Sequence, residues 1–290
     1  MAGAKRSAEP RRKAPRKGRT ALRIAGGGAG VLLVAALSAW VLWRSLPDVA
    51  SLATRAPAST ALMEQRRAEA AREGKAFRPD YRPVSLDRIS PRLARAVVAS
   101  EDASFFGHAG FDWDEIRNAA GQNWKAGRTV RGASTITQQL AKNLWLGTER
   151  SYLRKAREAL LAVKLERSLP KRRILTLYLD VAEWGNGVFG AEAAARRWFD
   201  TSARDLSAAQ AATLAAMLPA PRRAAVAPAP RWLARRARRI LGLMVRNGTV
   251  PAGEAASARG ELERILTARD GPPAPAEPPG DPDEEPPEEG

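Results

Sequence analysis

Apolar residues recur along most of this chain at the three-and-four spacing of a helix that faces a core. In residues 131–146, RGASTITQQLAKNLWL, Ile136, Leu140 and Leu144 fall four apart. In residues 150–180, Leu153, Leu160, Leu161, Val163 and Leu165 form a stripe predicted to face the core. Pro170 interrupts it, and Ile174, Leu175, Tyr178 and Leu179 resume it, so two helices are expected there. Leu93, Ala96 and Val97 mark a helix that follows Ser90-Pro91 and ends at Glu101-Asp102. A further helix is predicted near Ala61–Arg72, inside a polar stretch punctuated by proline. No alternating pattern survives beyond a few residues, so the fold class is mainly α.

One run breaks the amphipathic rule. Residues 24–43, IAGGGAGVLLVAALSAWVLW, carry no charge. Twenty residues give about 30 Å of helix, the thickness of a bilayer core. Trp40 and Trp43 fall at its far end, where aromatic rings favour the interface. The alternative, a cleaved signal peptide, is disfavoured by the length of the run and by the lack of a small-x-small site after it. The segments expected are a basic cytoplasmic arm at 1–23, a single N-terminal transmembrane helix at 24–43, a connecting segment at 44–80, a helical domain at 81–270 and a tail at 271–290. The tail, GPPAPAEPPGDPDEEPPEEG, is acidic and Pro-rich and is expected to be disordered.

Charge sharpens this plan. The chain of 290 residues has a net charge of +17. The arm holds nine bases against Glu9, so the positive-inside rule keeps the N-terminus cytoplasmic and exports the rest. The tail holds seven carboxylates and no base, which leaves +16 on residues 24–270. That excess implies an anionic partner. With no cysteine, disulfides, thiolate catalysis and Cys-based zinc sites are excluded; a single histidine, His108, excludes a multi-His metal site.

Four clusters carry candidate chemistry. In SEDASFFGHAGFD, Glu101 and Asp102 stand beside Phe105 and Phe106; a carboxylate desolvated by aromatics can serve as an acid or base near neutral pH. The bland alternative is a solvated helix end, with His108 a hydrogen-bonding residue. In RGASTITQQLAKNLWL, Ser134, Gln138 and Lys142 share one helical face opposite the apolar stripe, with Ser134 as the N-cap. Ser, Gln and Asn suit a cleft that binds hydroxyls and amides better than a solvated face does. Gln139 lies off that face and is expected to tolerate change. Glu158 has Arg154 at i−4 and Lys155 at i−3, equally consistent with a surface salt bridge, and Glu166 lies two turns on. WGNGVFGAEAAARRWF is a Gly-rich loop that leads into a helix. Ser168-Leu-Pro-Lys171 fits the S-x-x-K pattern of penicillin-binding acyltransferases, but its proline and the lack of companion motifs make it a chance match.

Together the runs ED-x-x-FF-x-H-x-GFDW, RGASTITQQLAKNL-x-L, RS-x-x-RK-x-x-E and EWG-x-GVFGAEAAA resemble the family 51 peptidoglycan glycosyltransferases, most closely the monofunctional biosynthetic transglycosylases. The resemblance spans about Pro83 to Arg223 and implies a lysozyme-like glycosyltransferase domain at 81–270. It implies that the domain polymerises lipid II outside the inner membrane into β-1,4-linked glycan. It places the catalytic base on Glu101, a second essential carboxylate on Glu158, and substrate contacts on Ser134, Gln138, Lys142, Arg150 and Lys155. No cofactor is required by it; Lys and Arg can stabilise the pyrophosphate leaving group with or without a divalent metal (Mg or Mn). The implied partners are lipid II, the growing lipid-linked glycan, the inner membrane and other cell-wall synthesis or division proteins. Nucleic acid is not among them, since no RRM, KH or helix-turn-helix signature occurs. A lysozyme-like glycosidase or lytic transglycosylase is the nearest rival. One departure from the family pattern is Asp180, where Asn is usual.

Overall fold

The computed structural model of the chain describes residues 34, 37, 40, 41, 43–128, 134–148, 151–224, 226 and 228–268. The basic arm, the tail, Arg150 and almost all of the predicted transmembrane helix lie outside them. Among the described residues no helix is long and apolar enough to cross a membrane. The chain divides into two compact units, 1–47 and 48–290. In the first, residues 34, 37, 40, 41 and 43–45 are helical, and Val34, Leu37, Trp40 and Val41 are exposed.

The second unit begins at Asp48, so residues 48–80 are part of the compact body as well as a connection. Helix α1, Ala61–Arg72, starts where Thr60 accepts a hydrogen bond from the Met63 amide at 3.2 Å. It buries Leu62 and Met63 against Phe189, with Phe77 and Tyr81 packed beside them. Two short strands not foreseen from the pattern, β1 (Asp80–Tyr81) and β2 (Val188–Phe189), pair in parallel there. At two residues each they are too short for an alternating signature.

The helices form two groups. In the first, α2 (Pro91–Glu101), α8 (Ala208–Met217), α9 (Arg231–Arg246) and α10 (Ala255–Thr267) pack together around α8. Helix α8, AAQAATLAAM, buries every residue but Gln210, and its small side chains let three neighbours approach. Helix α9 buries Leu233, Ala237, Ile240, Leu241 and Met244 and keeps most of its arginines outward. In the second group, α4 (Ile136–Trp145) packs on α5 (Tyr152–Ser168), α6 (Lys171–Val181) and α1. Helix α3 (Trp113–Ala126) buries only Ala119, and α7 (Ala191–Phe199) follows β2.

Three apolar positions differ from the predicted stripe: Leu153 is exposed and Leu160 and Val163 are half-buried, while Leu161 and Leu165 are buried. The reason is α5's position. Helices α4 and α6 and the loop at Gly110 pack against its later turns, and its first turn reaches solvent. The reverse holds for α4, in which Thr137, Gln138 and Asn143 are buried along with Ile136, Leu140 and Leu144. Covered by α1, α5 and α6, it is largely internal and leaves Gln139, Lys142 and Trp145 half-buried.

Candidate active site

Glu101 is the last residue of α2, and Asp102 caps it. Adjacent in sequence, the two carboxylates have separate tasks. Asp102 is buried: its Oδ2 accepts from the Ile136 amide at 3.0 Å, the free N-terminal end of α4. Its Oδ1 accepts from His108 Nε2 at 2.9 Å. The Gly110 amide donates to His108 Nδ1 at 3.1 Å, so the proton sits on Nε2. Asp102 and His108 thus tie the loop after α2 to the start of α4, the hydrogen-bonding role open to His108 from sequence alone.

Glu101 turns the other way. Its side chain is 10% exposed, paired with Arg236 of α9 and hydrogen-bonded by Gln139 Nε2 at 3.2 Å. The Tyr178 hydroxyl donates to Gln139 Oε1 at 2.9 Å. The relay Tyr178–Gln139–Glu101–Arg236 joins α6, α4, α2 and α9, so the carboxylate sits where the two helix groups meet. Burial pushes its pKa up, against the pull of Arg236, Gln139 and Lys142. Burial also pushes the Tyr178 phenol well up, so it remains a donor.

The second constellation is built on α5. Glu158 is 3% exposed; its Oε2 accepts from Arg154 at 2.7 Å and its Oε1 from Lys155. Lys155 also donates to Ser134 Oγ at 3.1 Å. The i−4 and i−3 spacings read from sequence therefore make a clamp. Lys142 of α4 is pushed below the usual lysine range, first by burial and then by Arg154, Lys155 and Arg66, with Glu158 opposing. Arg66 is paired with Glu69 and Glu183, which leaves Lys142, Arg154 and Lys155 against Glu158, a local excess of positive charge and the condition for binding an anion. The Lys142 charge also acts on Glu101, lowering its pKa. Glu166 stands apart, holding Thr137 and Lys171, the latter at 2.7 Å. That ties up the lysine of the chance S-x-x-K match.

The structure brings Glu101, Lys142, Glu158, Lys155 and Ser134 into this region; Arg150 lies outside the described residues. Three expectations are corrected. The N-cap of α4 is Thr135, not Ser134, because Thr135 Oγ1 accepts from the Gln138 amide while Gln138 Oε1 accepts from the Thr135 amide, a capping box. Gln138 is accordingly buried in the cap and does not line an open face. Gln139, expected to be tolerant, touches Glu101. Arg236, Tyr178 and Arg66 were missed, and local spacing held no signal for them: Arg236 lies 135 positions from Glu101. Among the described residues no three His, Asp or Glu side chains converge as metal ligands, and both oxygens of Glu158 accept from Arg154 and Lys155.

Residues 66–245 match the family described as Transglycosylase. The chain is 55% identical over 168 residues to a biosynthetic peptidoglycan transglycosylase of Methylobacillus flagellatus, covering 58% of this chain and 73% of that protein. It is 56% identical over 174 residues to one of Bordetella pertussis, covering 59% and 72%. The match to one of Aromatoleum aromaticum is 48% over 245 residues and covers 80% of this chain and all of that protein.

Proposed function

The chain belongs to the transglycosylase family, with the biosynthetic peptidoglycan transglycosylases, and from that premise we propose that it polymerises lipid II into β-1,4-linked glycan with inversion. It is a glycosyltransferase acting in cell-wall peptidoglycan synthesis. The observation that carries the finer reading is buried Glu158 holding Arg154 and Lys155 side by side, with the Lys142 charge acting on both Glu158 and Glu101.

Glu101 acts as the general base. Its burial-raised pKa brings it nearer the neutral range in which a base works best, while Arg236 and Gln139 keep it ionised and aimed. It takes the proton from the acceptor's GlcNAc 4-hydroxyl. That oxygen bonds to the donor's MurNAc C1 as the bond from C1 to the pyrophosphate oxygen breaks. The lipid pyrophosphate leaves with the electron pair, stabilised by Lys142, Lys155 and Arg154. Glu158 holds Arg154 and Lys155 in place and keeps the cluster from repelling itself. Arg150 completes the clamp in this reading. The basic arm and residues 24–43 keep the N-terminus cytoplasmic, and residues 81–270 work on the outer side of the inner membrane, with lipid II and the growing glycan as partners.

The test is lipid II turnover with product sizing by gel. Wild type forms polymer; Glu101→Gln loses about 100-fold or more of the rate with an unchanged melting curve. Shortening of added glycan without polymer formation would instead identify a lytic enzyme and overturn this reading.

A further inference from the structure

Between one side of α2, the start of α6 and the end of α9 lies a groove of about 1070 Å³ that includes none of the site residues above. Its walls are aliphatic, with Ile89, Val98, Leu175 and Leu243 among them, and Phe106, 60% exposed, joins the lining. Four arginines from separate elements line the same space: Arg95 on α2, Arg172 on α6, Arg204 in the turn Ala203–Asp205 and Arg246 on α9. Among the described residues none of the four lies within ion-pair distance of a carboxylate. Arginines elsewhere do, as in Arg66–Glu183, Arg236–Glu101 and Arg238–Glu263. The one acid in the lining, Asp87, is exposed, hydrogen-bonded by Ser85 and within electrostatic reach of Arg204, though beyond ion-pair distance.

An apolar trough edged by unpaired guanidinium groups suits one kind of ligand: a hydrocarbon chain that ends in an anion. A glycan would need more hydrogen-bonding groups than Asn247 and Thr249 supply, and a polar polyanion would leave the aliphatic walls wet. We propose that this groove binds an anionic membrane phospholipid, its acyl chains along Ile89, Val98, Leu175 and Leu243 and its phosphate among the arginines. The lipid then lies against the helix whose last residue is Glu101. The proposal concerns binding alone and stands independently of the reaction assigned above.

Native mass spectrometry of the full chain in detergent, titrated separately with phosphatidylglycerol, phosphatidylcholine and polyprenyl phosphate, tests it. Wild type retains phosphatidylglycerol in preference to the other two. Arg172→Gln combined with Arg246→Gln lowers that retention roughly thirtyfold, at about fivefold per basic residue near an anionic lipid. Ala94→Phe, which fills the trough and leaves every charge, also lowers it and carries the test if the double variant does not fold. Equal retention of phosphatidylglycerol and phosphatidylcholine, or unchanged retention in either folded variant, overturns the proposal. Preferred retention of polyprenyl phosphate overturns it too, by making the groove a site for the substrate's lipid.

Discussion

Gln139 shows how far a single side chain can depart from its place in a pattern. Its amide receives the Tyr178 hydroxyl and donates to Glu101, so it orients the carboxylate and favours its ionised form. Gln139→Ala is expected to lower kcat about tenfold or more with little change in KM. Removing a donor from Glu101 raises its pKa, so the acid limb of the pH–rate profile moves to higher pH; an unmoved limb would show the contact to be incidental. Asp180 makes a second case. It is 1% exposed, accepts from the Val84 amide at 3.1 Å, and burial raises its pKa from 3.8 to about 7. The folded state therefore holds a proton that the unfolded state sheds. Stability from this group is full below about pH 4 and is lost as pH rises through about 7. Asp180→Asn keeps the oxygen acceptor and has no charge to bury, and the neighbouring Tyr81 hydroxyl is buried without a partner. Melting curves should show the variant more stable at pH 8, by up to about 4 kcal/mol, with the gap closing near pH 4.

At the scale of elements, the start of α4 is fixed from three sides. Thr135 closes the capping box and also donates to the Gly110 carbonyl at 2.8 Å, and Asp102 receives the Ile136 amide. Asp102→Ala leaves that amide and His108 Nε2–H buried and unpaired, at a cost of about 2–5 kcal/mol by chemical denaturation. Activity should fall with stability and recover in part in Asp102→Asn, which keeps an acceptor. Much at this scale was legible beforehand. Ala61–Arg72 and the break at Pro170 follow from local cues, as does the Arg154–Lys155–Glu158 clamp. The cap of α4 was misread by one residue because Ser134 and Thr135 are chemically equivalent, and only the Gln138 side chain distinguishes them. The polar residues of α4 were read as lining a cleft, whereas Thr137, Gln138 and Asn143 are buried, because periodicity reports one covered side and cannot count three.

Across the whole molecule, the candidate base depends on residues from four helices, whereas its counter-cluster comes mostly from one helix and its neighbour. That asymmetry explains what the chain could reveal: the Glu158 clamp is local, but Glu101 is paired with Arg236 of α9, 135 positions away. Because the compact unit starts at Asp48 and the family match at residue 66, a chain lacking residues 1–47 should keep a single cooperative melt within a few degrees of the full chain. A loss of cooperativity on calorimetry would show the first unit to be part of the folding core. If Lys142 serves the pyrophosphate, Lys142→Ala should cut turnover about 100-fold without shifting the melt.

His108 has one more use. It is the sole imidazole in 290 residues, and its tautomer is fixed by Gly110 on one nitrogen and Asp102 on the other. Its ring nitrogen resonances therefore need no assignment by mutagenesis. A ¹⁵N spectrum of the labelled wild-type chain contains one pair of imidazole signals, which reports whether the joint beside Glu101 stays closed while substrate, lipid or inhibitor is added.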